Sequence, residues 1–155
     1  MKKILFVCLG NICRSPTAKA VFDHKLQQAG IALETDSAGT GDWHIGHPPD
    51  PRSQAFALQW GVDMSDQAAR QVCKEDFFRF DRIYAMDRSN LAELLDRAPQ
   101  HASARIELMM SLAPEYGIDE VPDPYYGGDD GFQRVIDMLD TAADRLIAEL
   151  QSRGR

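Results

Sequence analysis

Cysteine is scarce in this chain, with three in 155 residues, and the count is odd. An odd number does not build a disulfide framework, so reduced thiols are expected. Basic charge is also short: 17 Lys and Arg face 24 Asp and Glu, and the net −7 argues against nucleic acid as a partner. No apolar run approaches the length of a membrane span, and Met1-Lys2-Lys3 leads straight into a strand-like segment rather than a secretory leader. A cytoplasmic location without membrane attachment is the expectation. The four histidines keep no metal-ligand spacing with the cysteines, so no metal or cofactor is expected. No internal repeat, linker or low-complexity segment divides the chain. At 44% hydrophobic and 26% charged residues, 155 positions suit one domain over 1–155 with a substantial core.

What is present is concentrated near the N-terminus. Ile4, Leu5, Phe6 and Val7 are an unbroken apolar run that suits a strand buried on both faces. Cys8 and Arg14 follow with five residues between them, and then Ser15-Pro16, which reads as an N-cap and a first helical proline. Ala18, Val21, Phe22, Leu26 and Ala29 continue at near-helical spacing to Gly30. A loop between a buried strand and a helix N-terminus is an anion site, because its N–H groups and the helix dipole both favour negative charge. Gly10 is expected to ease the tight path. Arg14 can bind two phosphate oxygens through its planar fork. Such surroundings favour the thiolate of Cys8, and Ser15 is placed to hydrogen-bond the sulfur and make it a better leaving group. Without Cys8 the loop would only bind phosphate. With it, the loop can attack phosphorus.

Farther along, Leu33 to Ala38 reads as a second strand and Arg82 to Met86 as a third. Arg105 to Met109 is the fourth strand candidate. Asp50-Pro51 opens a helix ended by Gly61, and Asp87 can cap another through Leu91 and Leu94. The loop from Thr40 to Pro49 carries Gly41, Trp43, His44, Gly46 and His47, and an irregular connection runs from Ser111 to Gly128. From Phe132 to Leu150 the apolar residues keep to one helical face. Alternating strands and helices imply an α/β domain of three layers. Its four-stranded parallel sheet has helices on both faces and ligands at the carboxyl ends of its strands. The flavodoxin-like strand order 2-1-3-4 is expected.

The stretch Val7 to Pro16 resembles the phosphate-binding signature of the low-molecular-weight protein tyrosine phosphatases. The likeness continues through Asp36-Ser37-Ala38-Gly39, Asp42-Trp43, Pro49 to Arg52, Ala69-Arg70-Gln71, Met86-Asp87, Ser89-Asn90 and Val121 to Tyr126, in the family's order. It implies the same fold and a phosphocysteine mechanism on phosphotyrosine and small aryl phosphates, with Cys8, Arg14 and Asp123 catalytic. Asp123, stiffened between Pro122 and Pro124, would be the general acid that protonates the leaving phenolate. Leu9, Gly10, Asn11, Ile12, Cys13 and Ser15 would hold substrate, and Trp43, Tyr125 and Tyr126 would flank the pocket mouth. Asn11 would help hold the loop with Ser37 as a neighbour. Many members carry a histidine three residues before the Arg of Ala-Arg-Gln; this chain has Gln67. Cys13 reads equally as a packing side chain and as a thiol that captures oxidised Cys8. Cys73 is expected to be structural, and helix capping is the simplest role for Asp87 and Ser89. Partners would be a phosphotyrosine-containing protein and an opposing tyrosine kinase. Two alternatives compete: a thiol-dependent arsenate reductase, which needs a further cysteine relay, and a catalytically silent phosphotyrosine-binding module. A nucleotide P-loop is excluded by the missing Gly-Lys-Ser/Thr ending.

Overall fold

The computed structural model describes residues 1–124 and 129–153. Strands β1 (Lys3–Cys8), β2 (Glu34–Gly39), β3 (Arg82–Ala85) and β4 (Arg105–Leu108) form one sheet in the order β2-β1-β3-β4. Every neighbouring pair is parallel, with Phe6 opposite Ser37 on one side and Tyr84 on the other. Helices α1 (Arg14–Gln28), α2 (Pro51–Trp60), α3 (Asp76–Arg79), α4 (Arg88–Arg97) and α5 (Asp129–Arg153) lie around it. The expected class, strand order and parallel pairing are those observed.

Alternation along β1 explains why both faces are covered. Ile4, Phe6 and Cys8 point to a core completed by Val21, Phe22 and Leu26 of α1 and by Met138, Leu139 and Leu146 of α5. Leu5 and Val7 point the other way, to Phe77 of α3 and Leu94 of α4. Phe6 is fully buried and its ring lies 4.7 Å from that of Phe22. Burying such a side chain contributes about 1.5–3 kcal/mol, so the central strand is a rigid base for the loop it feeds.

Element ends depart from expectation in instructive ways. Ser15 does not cap α1. The helix already begins at Arg14, with Cys13 at the N-cap position and no side-chain cap bond there. A helix end that faces an anion has no need of one. Glycine closes the other end as expected, Gly30 taking a φ of 69°. The second strand is shifted by one residue and reaches Gly39, while β4 stops at Leu108, where a 3₁₀ turn (Met109–Leu112) begins. The connection from Ser111 is therefore not wholly irregular, since a second such turn spans Pro114–Tyr116. Asp50 and Asp87 cap α2 and α4 as expected, Asp50 through the N–H groups of Arg52 and Ser53 and Asp87 through that of Asn90. Among the described residues, no helix is long and apolar enough to cross a membrane.

Candidate active site

The loop after β1 is gripped from several directions. Its Cys8 and Leu9 carbonyls accept from Thr40 and Gly41 N–H at 2.9 Å each, and its Ile12 carbonyl accepts from Asp50 N–H at 2.8 Å. Gly39 makes this closeness possible: a Cβ there would fall 2.8 Å from the Leu9 carbonyl and 3.2 Å from the Asn11 nitrogen. The left-handed residue of the loop is Asn11, with φ 58°, and not Gly10. Gly10 serves differently, since its missing Cβ admits the edge of His44, which would stand 3.0 Å away.

A left-handed asparagine costs about 1 kcal/mol and persists where the surroundings hold it. Here they do. Asn11 Nδ2 donates to Ser15 Oγ at 2.8 Å and to Ser37 Oγ at 2.9 Å, and Asn11 Oδ1 accepts from Arg70 N–H at 2.9 Å. Ser15 Oγ in turn lies 2.9 Å from Cys8 Sγ, and the Asn11 N–H donates to that sulfur at 3.3 Å. Gln67 stands at the position where many family members carry a histidine, and it bonds to the same loop region. Its Nε2 donates to the Pro16 carbonyl at 3.0 Å, and its Oε1 takes a long contact of 3.4 Å from Ser37 Oγ.

Arg14 is buried. Its Nη1 donates to Asp87 Oδ2 at 2.7 Å and to the Val121 carbonyl at 3.0 Å, while its Nη2 lies 3.8 Å from Asp123 Oδ2. Burial works against the guanidinium charge, but Cys8, Asp87 and Asp123 outweigh it and hold the pKa above its ordinary value. Asp87 thus has a second role: Oδ1 caps α4 through Asn90 N–H at 2.7 Å while Oδ2 aims Arg14. Spacing in the chain could show only the cap, because Arg14 lies 73 residues away.

A cavity of 360 Å³ opens over this loop. Cys8, Arg14 and Asp123 line it, with Leu9, Gly10, Ile12 and Cys13 from the loop and Trp43 and His44 from the segment after β2. Two larger surface clefts, of 580 and 730 Å³, have no cysteine in their walls. Of the expected substrate contacts, Asn11 and Ser15 are not among the residues lining the cavity; their side chains bond to each other and to Ser37 and Cys8 behind it. Trp43 lies over Gly41, where a Cβ would come within 2.0 Å of the indole. Tyr125 and Tyr126 lie outside the described residues. His44 also lines the cavity, and no motif in the sequence marks it. Cys73 is exposed rather than a packed structural residue.

A thiol, a buried arginine and a carboxylate meet around one loop at the carboxyl end of a parallel sheet, an arrangement chemically suited to phosphoryl transfer. Comparison with known proteins agrees. The family model described as low molecular weight phosphotyrosine protein phosphatase matches residues 3–155. A low molecular weight protein-tyrosine-phosphatase of Streptomyces coelicolor is 42% identical over 154 residues, covering 96% of this chain and 93% of the relative. The crystal structure of a protein tyrosine phosphatase from Entamoeba histolytica, with Hepes in its active site, superposes with a TM-score of 0.93 at 43% identity, covering 100% of both chains. A Drosophila arginine phosphatase superposes with a TM-score of 0.91 at 32% identity, covering 97% of this chain and 98% of that one. The chain belongs to the low molecular weight phosphotyrosine protein phosphatase family.

Proposed function

We propose that this chain hydrolyses phosphotyrosine in proteins, and small aryl phosphates, in two steps through a phosphocysteine. Cys8 thiolate attacks phosphorus in line while Asp123 gives its proton to the departing phenolic oxygen. Loop N–H groups and Arg14 bind the equatorial oxygens, so catalysis is mostly positioning and electrostatic stabilisation. Water then attacks the phosphocysteine and yields a proton to the Asp123 carboxylate. The S–P bond breaks, its electron pair returns to sulfur, and phosphate leaves. Ser15 supports the sulfur as it departs. The scheme uses no metal or cofactor.

One observation carries this reading: Cys8, Arg14 and Asp123 meet around the same cavity although Asp123 is remote in the chain. A silent binding module has no use for both a nucleophile and an acid. Arsenate reduction needs a thiol relay, which a single further cysteine, Cys73, does not supply. Leu9, Ile12 and Trp43 give the cavity apolar walls suited to an aryl ring, so phosphoarginine peptides are the competing substrate to assay beside phosphotyrosine peptides. An opposing tyrosine kinase and a cytoplasmic setting complete the proposal. The three unpaired cysteines support a reducing compartment.

Replacing Cys8 is the direct test. Cys8→Ser is expected to abolish hydrolysis of p-nitrophenyl phosphate and to retain phosphate binding by calorimetry, because Arg14 and the loop amides remain. Substantial turnover by that variant would remove Cys8 from the mechanism.

A further inference from the structure

Behind the anion loop runs the segment 67–73, which touches no reacting atom yet meets the loop at its most constrained residue. Arg70 is fastened at four points. Its N–H donates to Asn11 Oδ1 at 2.9 Å and its carbonyl accepts from Gly39 N–H at 2.8 Å. Its guanidinium makes a two-pronged pair with the fully buried Asp76, Nη1 to Oδ2 at 2.9 Å and Nη2 to Oδ1 at 3.0 Å. Its Nε donates to Asp36 Oδ2 at 3.1 Å. Asp76 is anchored in turn by Cys73 N–H at 2.8 Å. The planar fork of arginine matches a carboxylate in a way that a lysine cannot.

This clasp has a chemical destination. The Arg70 N–H fixes which end of the Asn11 amide is oxygen, and so directs Nδ2 at Ser15 Oγ. A Ser15 hydroxyl whose oxygen already accepts from Asn11 has its own proton to give, and Cys8 Sγ at 2.9 Å is the nearer acceptor, the Ala38 carbonyl standing at 3.4 Å. We infer that Arg70, locked by Asp76 and Asp36, is a positioning residue for breakdown of the phosphocysteine. It sets the hydrogen bond that receives negative charge on sulfur when the S–P bond breaks. The inference rests on the two-step reading above. In the first step the sulfur is the nucleophile and gives up charge, so a weaker hydrogen bond there costs little. In the second it is the leaving group and takes up the bonding pair, while the attacking water passes its proton to Asp123.

The two steps can be read separately. The ratio kcat/KM reports events up to release of the phenol, whereas kcat also includes hydrolysis of the phosphocysteine. A misplacement of about 1 Å at a reacting group can cost about 10²-fold, so a disturbance one layer out is expected to lower kcat by roughly 5–20-fold. For Arg70→Lys, kcat on p-nitrophenyl phosphate should fall by that factor and kcat/KM by less than about 2-fold. Stopped-flow records should show a burst of p-nitrophenolate near one per active site. Equal losses in kcat and kcat/KM, or no loss in either, would overturn the inference and leave the Arg70–Asp76 pair a matter of stability alone. Should Arg70→Lys fail to fold, Asp36→Asn removes a nearly half-exposed arm of the clasp (45% exposed) and must show the same split at smaller size. An active Cys8→Ser enzyme would break the two-step reading itself, which is a different result from a parent that follows it and an Arg70→Lys enzyme without the split.

Discussion

Asn11, behind the anion loop, and Trp43, on the wall of the cavity above it, are secured by opposite means. Asn11, in the floor of the site, is 3% exposed and its side-chain amide makes three hydrogen bonds. Trp43, at the rim, is 66% exposed and lies against a glycine. On the proposed function the floor would hold a phosphoryl group common to every substrate, which suits donors tied to buried partners. The rim would meet the protein that carries the phosphate, and a large amphipathic ring there would offer contact area without a fixed geometry. Rigidity is thus confined to where charge moves.

Asp123 is the residue that tests this division most severely, since its side chain is 36% exposed like a rim group but stands 3.8 Å from Arg14 like a floor group. Asp123→Asn is expected to lower kcat by about 10²–10⁴-fold, the usual contribution of a positioned acid–base group. The loss should shrink as the leaving-group pKa of a series of aryl phosphates falls, because a good leaving group needs little protonation. A loss equal across the series would place Asp123 with the rim and remove it as the acid.

Trp43→Ala is expected to act in the opposite manner. An aromatic contact is worth about 0.5–1.5 kcal/mol, so KM for phosphotyrosine peptides should rise by roughly 2–10-fold with kcat nearly constant. Thermal stability should move little, since an exposed site away from the core contributes within about 0.5 kcal/mol. A fall in kcat matching that of the floor variants would mean that the rim orders the reacting groups, and the contrast would fail.

The same division describes what was legible in the chain. The floor was read from Ile4 to Pro16 alone because strand, anion loop and helix are contiguous and each residue type states its chemistry. Asp123 was read because two prolines and a family resemblance marked it. Less legible were the groups that hold the floor from across the fold. Asp50 N–H on Ile12, Asp87 on Arg14 and Arg70 N–H on Asn11 join residues 38, 73 and 59 positions apart, and two of the three act through a backbone donor that carries no side-chain signature. Ser15 reads as a cap in the sequence, and is not one, for a related reason. Its hydroxyl has two candidate partners in the sequence, the helix N-terminus and the sulfur, and only the folded loop decides for Cys8. Long periodic segments suffer least from this ambiguity, and α5 was recognised from Phe132 onward while its polar first turn at Asp129 was not.

Cys13 is the floor residue with the smallest expected effect on turnover, and it separates packing from redox protection. It is 5% exposed, shares a hydrogen bond with Ser53, and burial pushes its thiol up to about 12. A thiol held protonated at neutral pH is a poor target for peroxide, which leaves the oxidant to Cys8. Peroxide converts Cys8 to a sulfenic acid, and attack by the Cys13 sulfur would form a disulfide with loss of water, sparing Cys8 from higher oxidation. Both residues line the same cavity and share one loop, so closing the bond would call for movement of that loop. Peroxide-treated protein is therefore expected to regain activity with a thiol reductant, and mass spectrometry should find a Cys8–Cys13 disulfide. Cys13→Ser should regain a much smaller fraction of its own starting activity. The raised pKa also fixes the sign of an alkaline effect. An unfolded chain releases this proton near 9.0 and the folded protein only near 12, so the associated stability is whole below pH 9 and is lost as pH climbs toward 12. Urea unfolding of parent and Cys13→Ser at pH 8 and 10.5 should show a larger alkaline loss in the parent, the raised Cys73 and Tyr84 contributing alike to both. If Cys13→Ser recovers from peroxide as fully as the parent yet shows the smaller alkaline loss, Cys13 is packing and the sulfur chemistry belongs to Cys8 by itself.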